Sequence, residues 1–285
     1  MTSNPLFSVL IANYNNGCYL REAVDSIKGQ SYTNWEIILI DDASTDNSKE
    51  LYTLYANDSR IKIYYNEENK GCGFTKRRCV EMATGELCGF LDPDDTLTAD
   101  ALQVMVDVHL NRPAVLVCSR HSVCDEKLIK QWESEIRDKT KLNYLTERFH
   151  TVEVFATFKR KEYLSTVGLN PDYKRAVDQY LYYLLEEQGE MIFIDDLLYN
   201  YRLNINSLSI GHYKALFWHV KAIEEACIRR GLSAEEVVGA MFERVIKKHE
   251  EKYQKAINSD YYKFGYKVLA PWSKLKKRIK KWLNH

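Results

Sequence analysis

Three carboxylates crowd into four consecutive positions of the stretch GFLDPDDTLT, Gly89 to Thr98: Asp92, Asp94 and Asp95, with Pro93 stiffening the backbone between the first two. Like charges this close repel unless a positive partner stands among them. Two chemistries account for such a cluster. A strand-to-helix turn uses Asp and Thr as caps, which explains Asp95 or Thr96 ahead of LTADAL. A hard divalent cation, Mg²⁺ or Mn²⁺, held by carboxylates at i and i+2 against a phosphate, would also explain Asp92 and Asp94.

The elements that must position this cluster are legible as an alternation of short apolar runs and helical patterns. Strands are expected at Phe7–Ala12, Trp35–Asp42, Ile61–Asn66, LCGFL and AVLVCS. Helices are expected in YLREAVDSIKGQ, DNSKELYTLYA, FTKRRCVEMATG (closed by Gly85) and ADALQVMVDVHLN (stopped by Pro113). Near-continuous apolar strands separated by helices imply a parallel sheet covered on both faces, with ligands bound beyond the strands' carboxyl ends. Those ends read ANYNN, DDASTD and DPDD, so polar and acidic residues collect on one edge. Residues 127–150 are polar and read as helix or loop. TVEVFATF then reads as strand-like, AVDQYLYYLLEEQG as a helix, and the chain from His212 onward as helices only, Ser233 and Glu236 having capping-box spacing.

Bulk properties narrow the classes. The chain has 285 residues, enough for one large domain with an appendage, and 40 basic against 40 acidic side chains, a balance that does not point to nucleic acid. No basic segment followed by a long apolar stretch opens the chain, and no run of about 18 apolar residues would span a membrane. The seven cysteines show no metal-binding spacing, so free thiols in a reducing cytoplasm are expected.

Two families share these letters. FLDPDDTL resembles the signature of haloacid-dehalogenase-type phosphatases, which implies Asp92 as phosphorylated nucleophile and Asp94 as acid, with Ser119, Asp195 and Asp196 in later motifs. That signature belongs on a first strand, whereas three strand–helix units precede it here. The segments SVLIANYNNGCYLREAVDSIKGQSYTNWEIILIDDASTDNS and NKGCGFTKRRCVEMATGELCGFLDPDD, followed by AVDQYLYYLLEEQG and IDDLLYNYRLNINSLS, resemble in order the family 2 glycosyltransferases, over roughly Phe7 to Ser209.

This second resemblance implies an α/β GT-A fold, with a mainly parallel central sheet flanked by helices and a helical C-terminal extension. It implies a glycosyltransferase domain at 1–211, with a nucleotide half at about 1–126 and an acceptor half at 127–211, followed by an extension at 212–285. It implies an inverting transfer from a nucleotide-diphosphate sugar, most plausibly a UDP-sugar, to a saccharide or lipid-linked saccharide. Ala12, in place of the family's proline, and Tyr14 would meet the base; Asp42 would accept a hydrogen bond from it, with Asp41 shaping the turn. Arg77 would lie near base and diphosphate, beside Lys76 and Arg78, which depart from the family pattern and could equally form a solvated helix face. Asp92 would bind ribose, Asp94 the Mn²⁺ or Mg²⁺, and Asp95 would cap the turn. Asp178 would be the base that takes the acceptor's proton; an ordinary helix-start carboxylate would look the same. Asn204 stands where relatives carry histidine, so any contact made there falls to Asn204, to Arg202 or to nothing. His212 and His219 read as packing or surface residues.

The tail PWSKLKKRIKKWLNH sets Trp272, Leu275, Ile279, Trp282 and Leu283 on one helical face, with Lys274, Lys276, Lys277, Arg278, Lys280 and Lys281 on the rest. Two placements fit: a helix on the anionic inner face of the plasma membrane, or one docked on the domain with a solvated basic face. For the first, the full chain should float with anionic liposomes and a chain truncated at Ala270 should not. Equal flotation would exclude it.

Overall fold

A computed structural model describes residues 3–134, 144–147, 154–203 and 212–259. The expected tail helix, Asn204 and much of 127–150 lie outside the described residues. The first half follows the alternation closely. β1 (Phe7–Asn13) and β2 (Trp35–Asp41) are buried almost throughout, as continuous apolar runs require. α1 (Gly17–Lys28) buries Leu20, Ala23, Val24 and Ile27, one face at helical spacing. The expected second helix is short: α2 (Ser48–Tyr52) passes into a 3₁₀ turn, Thr53–Tyr55. β3 (Ile61–Tyr65), α3 (Cys72–Met82) and β4 (Leu87–Phe90) follow. After a short β5 (Thr96–Leu97), α4 (Ala101–Asn111) ends at Arg112, which is extended as a residue before proline must be.

The sheet runs β3-β2-β1-β4 in parallel. Beyond β4 it is mixed. β8 (Ala156–Lys159), within the expected TVEVFATF strand, enters antiparallel between β4 and β6 (Leu116–Cys124). β9 (Met191–Arg202) lies parallel to β6, β5 pairs antiparallel with β9, and β7 (Lys130–Glu133) pairs antiparallel with β6. Short helices α5 (Tyr144–Glu147) and α6 (Arg160–Leu164) precede α7 (Val177–Glu186). α8 (His212–Arg230) belongs to the same compact unit, Met1–Ala234, and backs α7. The Tyr183 hydroxyl and the His219 ring share a hydrogen bond at 2.8 Å, and Arg229 and Arg230 pair with Glu187 and Glu186. α9 (Ala234–Asn258) forms most of the described part of the second unit. No helix among the described residues is long and apolar enough to cross a membrane.

One buried charge fixes the register of the parallel strands. Glu36, buried at the start of β2, accepts from the Ser8 hydroxyl at 2.6 Å, the Thr84 amide at 2.7 Å and the Gly85 amide at 3.2 Å, and pairs with Lys62 at 2.7 Å. Burial would push this carboxyl up, but the donors from Lys62, Ser8 and Thr84 outweigh it and hold it below its usual value. β1, β2, β3 and the α3–β4 connection are thereby tied to one carboxylate. Gly85 closes that connection for a reason other than helix capping, since α3 already ends at Met82. A Cβ on Gly85 would stand 2.5 Å from the Leu6 carbonyl, a contact real side chains do not make.

Candidate active site

The carboxyl ends of β1, β2 and β4 open on one edge, because Asn13 pairs with Asp41 and Leu10 with Phe90 in the parallel register. The polar residues there divide into a framework and a cluster facing the cleft. Asp41 belongs to the framework: fully buried, it accepts from the Tyr52 hydroxyl at 2.6 Å and the Ser44 amide at 3.0 Å. Asp42 is 3% exposed and accepts from Asn66 at 2.7 Å and from the amides of Lys70 and Gly71 at 2.8 Å each. Its carboxylate therefore secures the loop from β3 to α3. Tyr14, just beyond β1, is exposed, and Ala12 is half-buried in that strand.

The aspartate turn is built by its own backbone and by β9. The Asp95 amide donates to the Asp92 carbonyl at 3.1 Å. The Asp95 side chain does not cap α4, which begins after Asp100; it accepts instead from the Tyr199 hydroxyl and the Arg202 amide, both at 2.7 Å. This corrects the capping role, and the reason is tertiary: β9 supplies donors that a local turn lacks. The Tyr199 hydroxyl also takes the Asp92 amide at 3.3 Å. Arg202, 2% exposed, donates to the Asp94 carbonyl at 2.7 Å and pairs with Glu22 at 2.5 Å, so its charge braces the turn from behind.

The positive partner of the cluster is Lys76. Its ammonium lies 3.2 Å from Asp92 and 2.9 Å from Asp178, with the Phe90 ring beneath it at 5.1 Å. Lys76 is 5% exposed, so it is no solvated helix face. Burial alone would lower its amine, but Asp178 and then Asp92 outweigh that and hold it well above the usual lysine value. It is therefore an ammonium whenever the site is near neutral pH. Lys76 reaches this place because α3 starts hard against the segment before α7. The Gly73 amide donates to the Tyr173 carbonyl at 2.9 Å, and a Cβ on Gly73 would collide with that oxygen at 2.5 Å. Arg77 and Arg78, next on the helix, point elsewhere. Arg77 binds Glu81 at 2.9 Å and the Leu169 carbonyl at 3.1 Å; Arg78 binds the Tyr65 carbonyl at 2.8 Å.

Lys76, Phe90, Asp92, Asp178, Tyr182 and Tyr199 line a cleft at this point. Asp178 and Asp92, 86 positions apart, thus face one space, and both are partly open to solvent at 35% and 44% side-chain exposure. Asp94 sits beside them. Burial first, then the neighbouring Asp92 charge, pushes its carboxyl up to about 6. A hard cation relieves that strain, and one or two carboxylates completed by water or phosphate is the donor set Mg²⁺ and Mn²⁺ take. Among the described residues no group of three or more His, Cys, Asp or Glu side chains could hold a metal alone. Any ion here would thus need oxygens from water or a ligand to complete its shell. Of the residues of the phosphatase reading, the Ser119 hydroxyl donates to the Arg120 carbonyl and Asp195 pairs with Arg120, and neither lines the cleft at Lys76.

The raised Asp94 value has a consequence for the cation-free chain. Its carboxyl is protonated in the fold at pH values where the unfolded chain has lost that proton. Its contribution is therefore present at and below about pH 4 and lost as the pH rises toward 6. Asp94→Asn should accordingly unfold in urea with ~1–3 kcal/mol more stability than wild type at pH 7, the gap closing near pH 4. Equal stability at pH 7 would contradict this.

Comparisons with known proteins bear on the family and the fold. The profile of glycosyl transferase family 2 matches residues 8–167. GlyG, a glycosyltransferase of Streptococcus pneumoniae serotype 4, is 27% identical over 289 residues, covering 90% of this chain and 93% of its own. EpsH of Bacillus subtilis is 26% identical over 231 residues, 79% of this chain, and the chain spans only 63% of it. Chondroitin synthase of Escherichia coli is 29% identical over 236 residues, 80% of this chain but 33% of its own length. Among solved structures, S. aureus TarS superposes with a TM-score of 0.66 at 17% identity, over 83% of this chain and 42% of its own. TarS 1–349 in complex with UDP-GlcNAc gives 0.63 at 16%, over 83% and 70%. The mannosyltransferase PcManGT of Pyrobaculum calidifontis, in complex with GDP-Man and Mn²⁺, gives 0.62 at 16%, over 94% and 85%. The mixed sheet with its helices is the GT-A fold, and the chain belongs to glycosyl transferase family 2.

Proposed function

We infer that the chain is an inverting glycosyltransferase. It would move a sugar from a nucleotide-diphosphate donor, a UDP-sugar, to an acceptor hydroxyl on a saccharide or lipid-linked saccharide of a bacterial surface polysaccharide. The observation that carries this reading is the meeting of Asp178 with Asp92 across one cleft. A donor-side carboxylate and a carboxylate from the start of α7 then face the same cleft, joined through Lys76. Relatives named for polymer synthesis and neighbours holding UDP-GlcNAc or GDP-Man support the substrate class.

In this reading the exposed Tyr14 ring stacks on the base beside the Ala12 backbone, and Asp42 either turns to the base or orders the loop that covers it. Asp92 accepts from the ribose hydroxyls. Asp94, with Asp92, would hold Mn²⁺ or Mg²⁺, which when bound offsets charge on the departing diphosphate. Arg77 is committed to Glu81 and Leu169 in the donor-free chain, so a diphosphate role for it requires those bonds to be exchanged. Asp178 takes the acceptor proton. The acceptor oxygen bonds to the anomeric carbon opposite the diphosphate, whose bond to that carbon breaks with both electrons leaving on the phosphate oxygen. The tail, if it meets anionic lipid, would bring this site to a lipid-linked acceptor at the inner face of the plasma membrane.

Calorimetry with UDP should give Mn²⁺-dependent binding. A panel of UDP-sugars and GDP-mannose should reveal a donor that releases its nucleotide. Asp178→Asn should keep UDP binding and lose about 10²- to 10⁴-fold in release rate. Binding without release from any donor would make the chain a nucleotide-sugar-binding relative, and retained release in Asp178→Asn would remove Asp178 as the base.

A further inference from the structure

We propose that Lys76 is a positioning residue for transfer: its ammonium aims the Asp178 carboxylate across the cleft and couples it to the donor-side Asp92. This rests on the functional reading above and concerns a residue the family resemblance left out. The argument begins with cost. A lysine that is 5% exposed gives up its hydration and most of its rotamer freedom, which sequence patterns tolerate only where charge and geometry return the loss. Here the return is two carboxylates at 2.9 and 3.2 Å.

What those contacts fix is the direction of Asp178. Asp178 is the second residue of α7, and the residue before the helix, Ala176, holds a left-handed φ of 55° with no capping side chain. The cap position therefore offers no side chain to orient the start of α7, whereas the Lys76 ammonium donates to the Asp178 carboxylate at 2.9 Å. Lys76 itself is held by α3, whose start is wedged against the Tyr173 carbonyl, and its charge is backed by the Phe90 face. The chain of support runs from the α3 backbone to Nζ to Asp178, with Asp92 as the second grip. A donor that engages Asp92 then meets a base already turned toward it.

A role of this kind separates rate from affinity. Using the donor the panel identifies, with UDP and Mn²⁺ as the binding probe, Lys76→Met should lower the nucleotide release rate at saturating donor by about tenfold or more, over and above any change in UDP affinity that follows from the loss of the Asp92 counter-ion. Lys76→Arg, which keeps a cation able to span both carboxylates, should recover most of the rate. In the Asp178→Asn background, Lys76→Met should add little further loss, because the group it aims is already gone. Lys76→Gln serves the same comparison should the Met variant fail to fold. A wild-type rate in Lys76→Met, a parallel collapse of UDP binding and rate, or a full additional loss in the double variant would each overturn the proposal. Absence of UDP binding and release in wild type would instead overturn the transferase reading first, and this inference with it.

Discussion

Everything at this site turns on one ammonium between two carboxylates that the chain supplies from positions 86 residues apart. Without Lys76, Asp92 and Asp178 would present like charges to the same cleft. With it, the end of β4 and the start of α7 share a charge network that exists before any ligand arrives. Such a network is expensive to bury, and it is found where direction matters more than stability.

The sheet makes this arrangement possible by delivering strand ends in register. Glu36 fastens β1, β2, β3 and the approach to β4 through one carboxylate with donors on every side, so that Asn13, Asp41 and the aspartate turn emerge side by side. β9 then crosses behind the turn. Tyr199 and Arg202 satisfy Asp95, and Arg202 also spans from Asp94 to Glu22. The three neighbouring aspartates thus end in different surroundings. Asp92 is half-open and salt-bridged, Asp94 is pushed up to about 6 by burial and its neighbour, and Asp95 is sealed against β9. Environment, not sequence position, divides their chemistry.

Much of this was legible in the letters. Continuous apolar runs such as WEIILID can only be buried strands, and the edge chemistry of ANYNN, DDASTD and DPDD marks where such a sheet binds ligands. Three features were not. In the run Lys76-Arg77-Arg78 successive side chains point about 100° apart, so only the packing of α3 decides which cation enters the site. Asp95 looked like a local cap because its true partners lie more than a hundred residues away on β9. The antiparallel β8 between β4 and β6 depends on a connection through a polar stretch with no periodicity to read.

The central claim is a single displacement in which one carboxylate, Asp178, deprotonates the acceptor while the nucleoside diphosphate leaves from the opposite face. Proton NMR of the anomeric position in the transferred sugar tests it most directly. The account predicts inversion, an α-linked donor giving a β-linked product. Retention of the donor's configuration would require a second displacement or a front-face path and would contradict it.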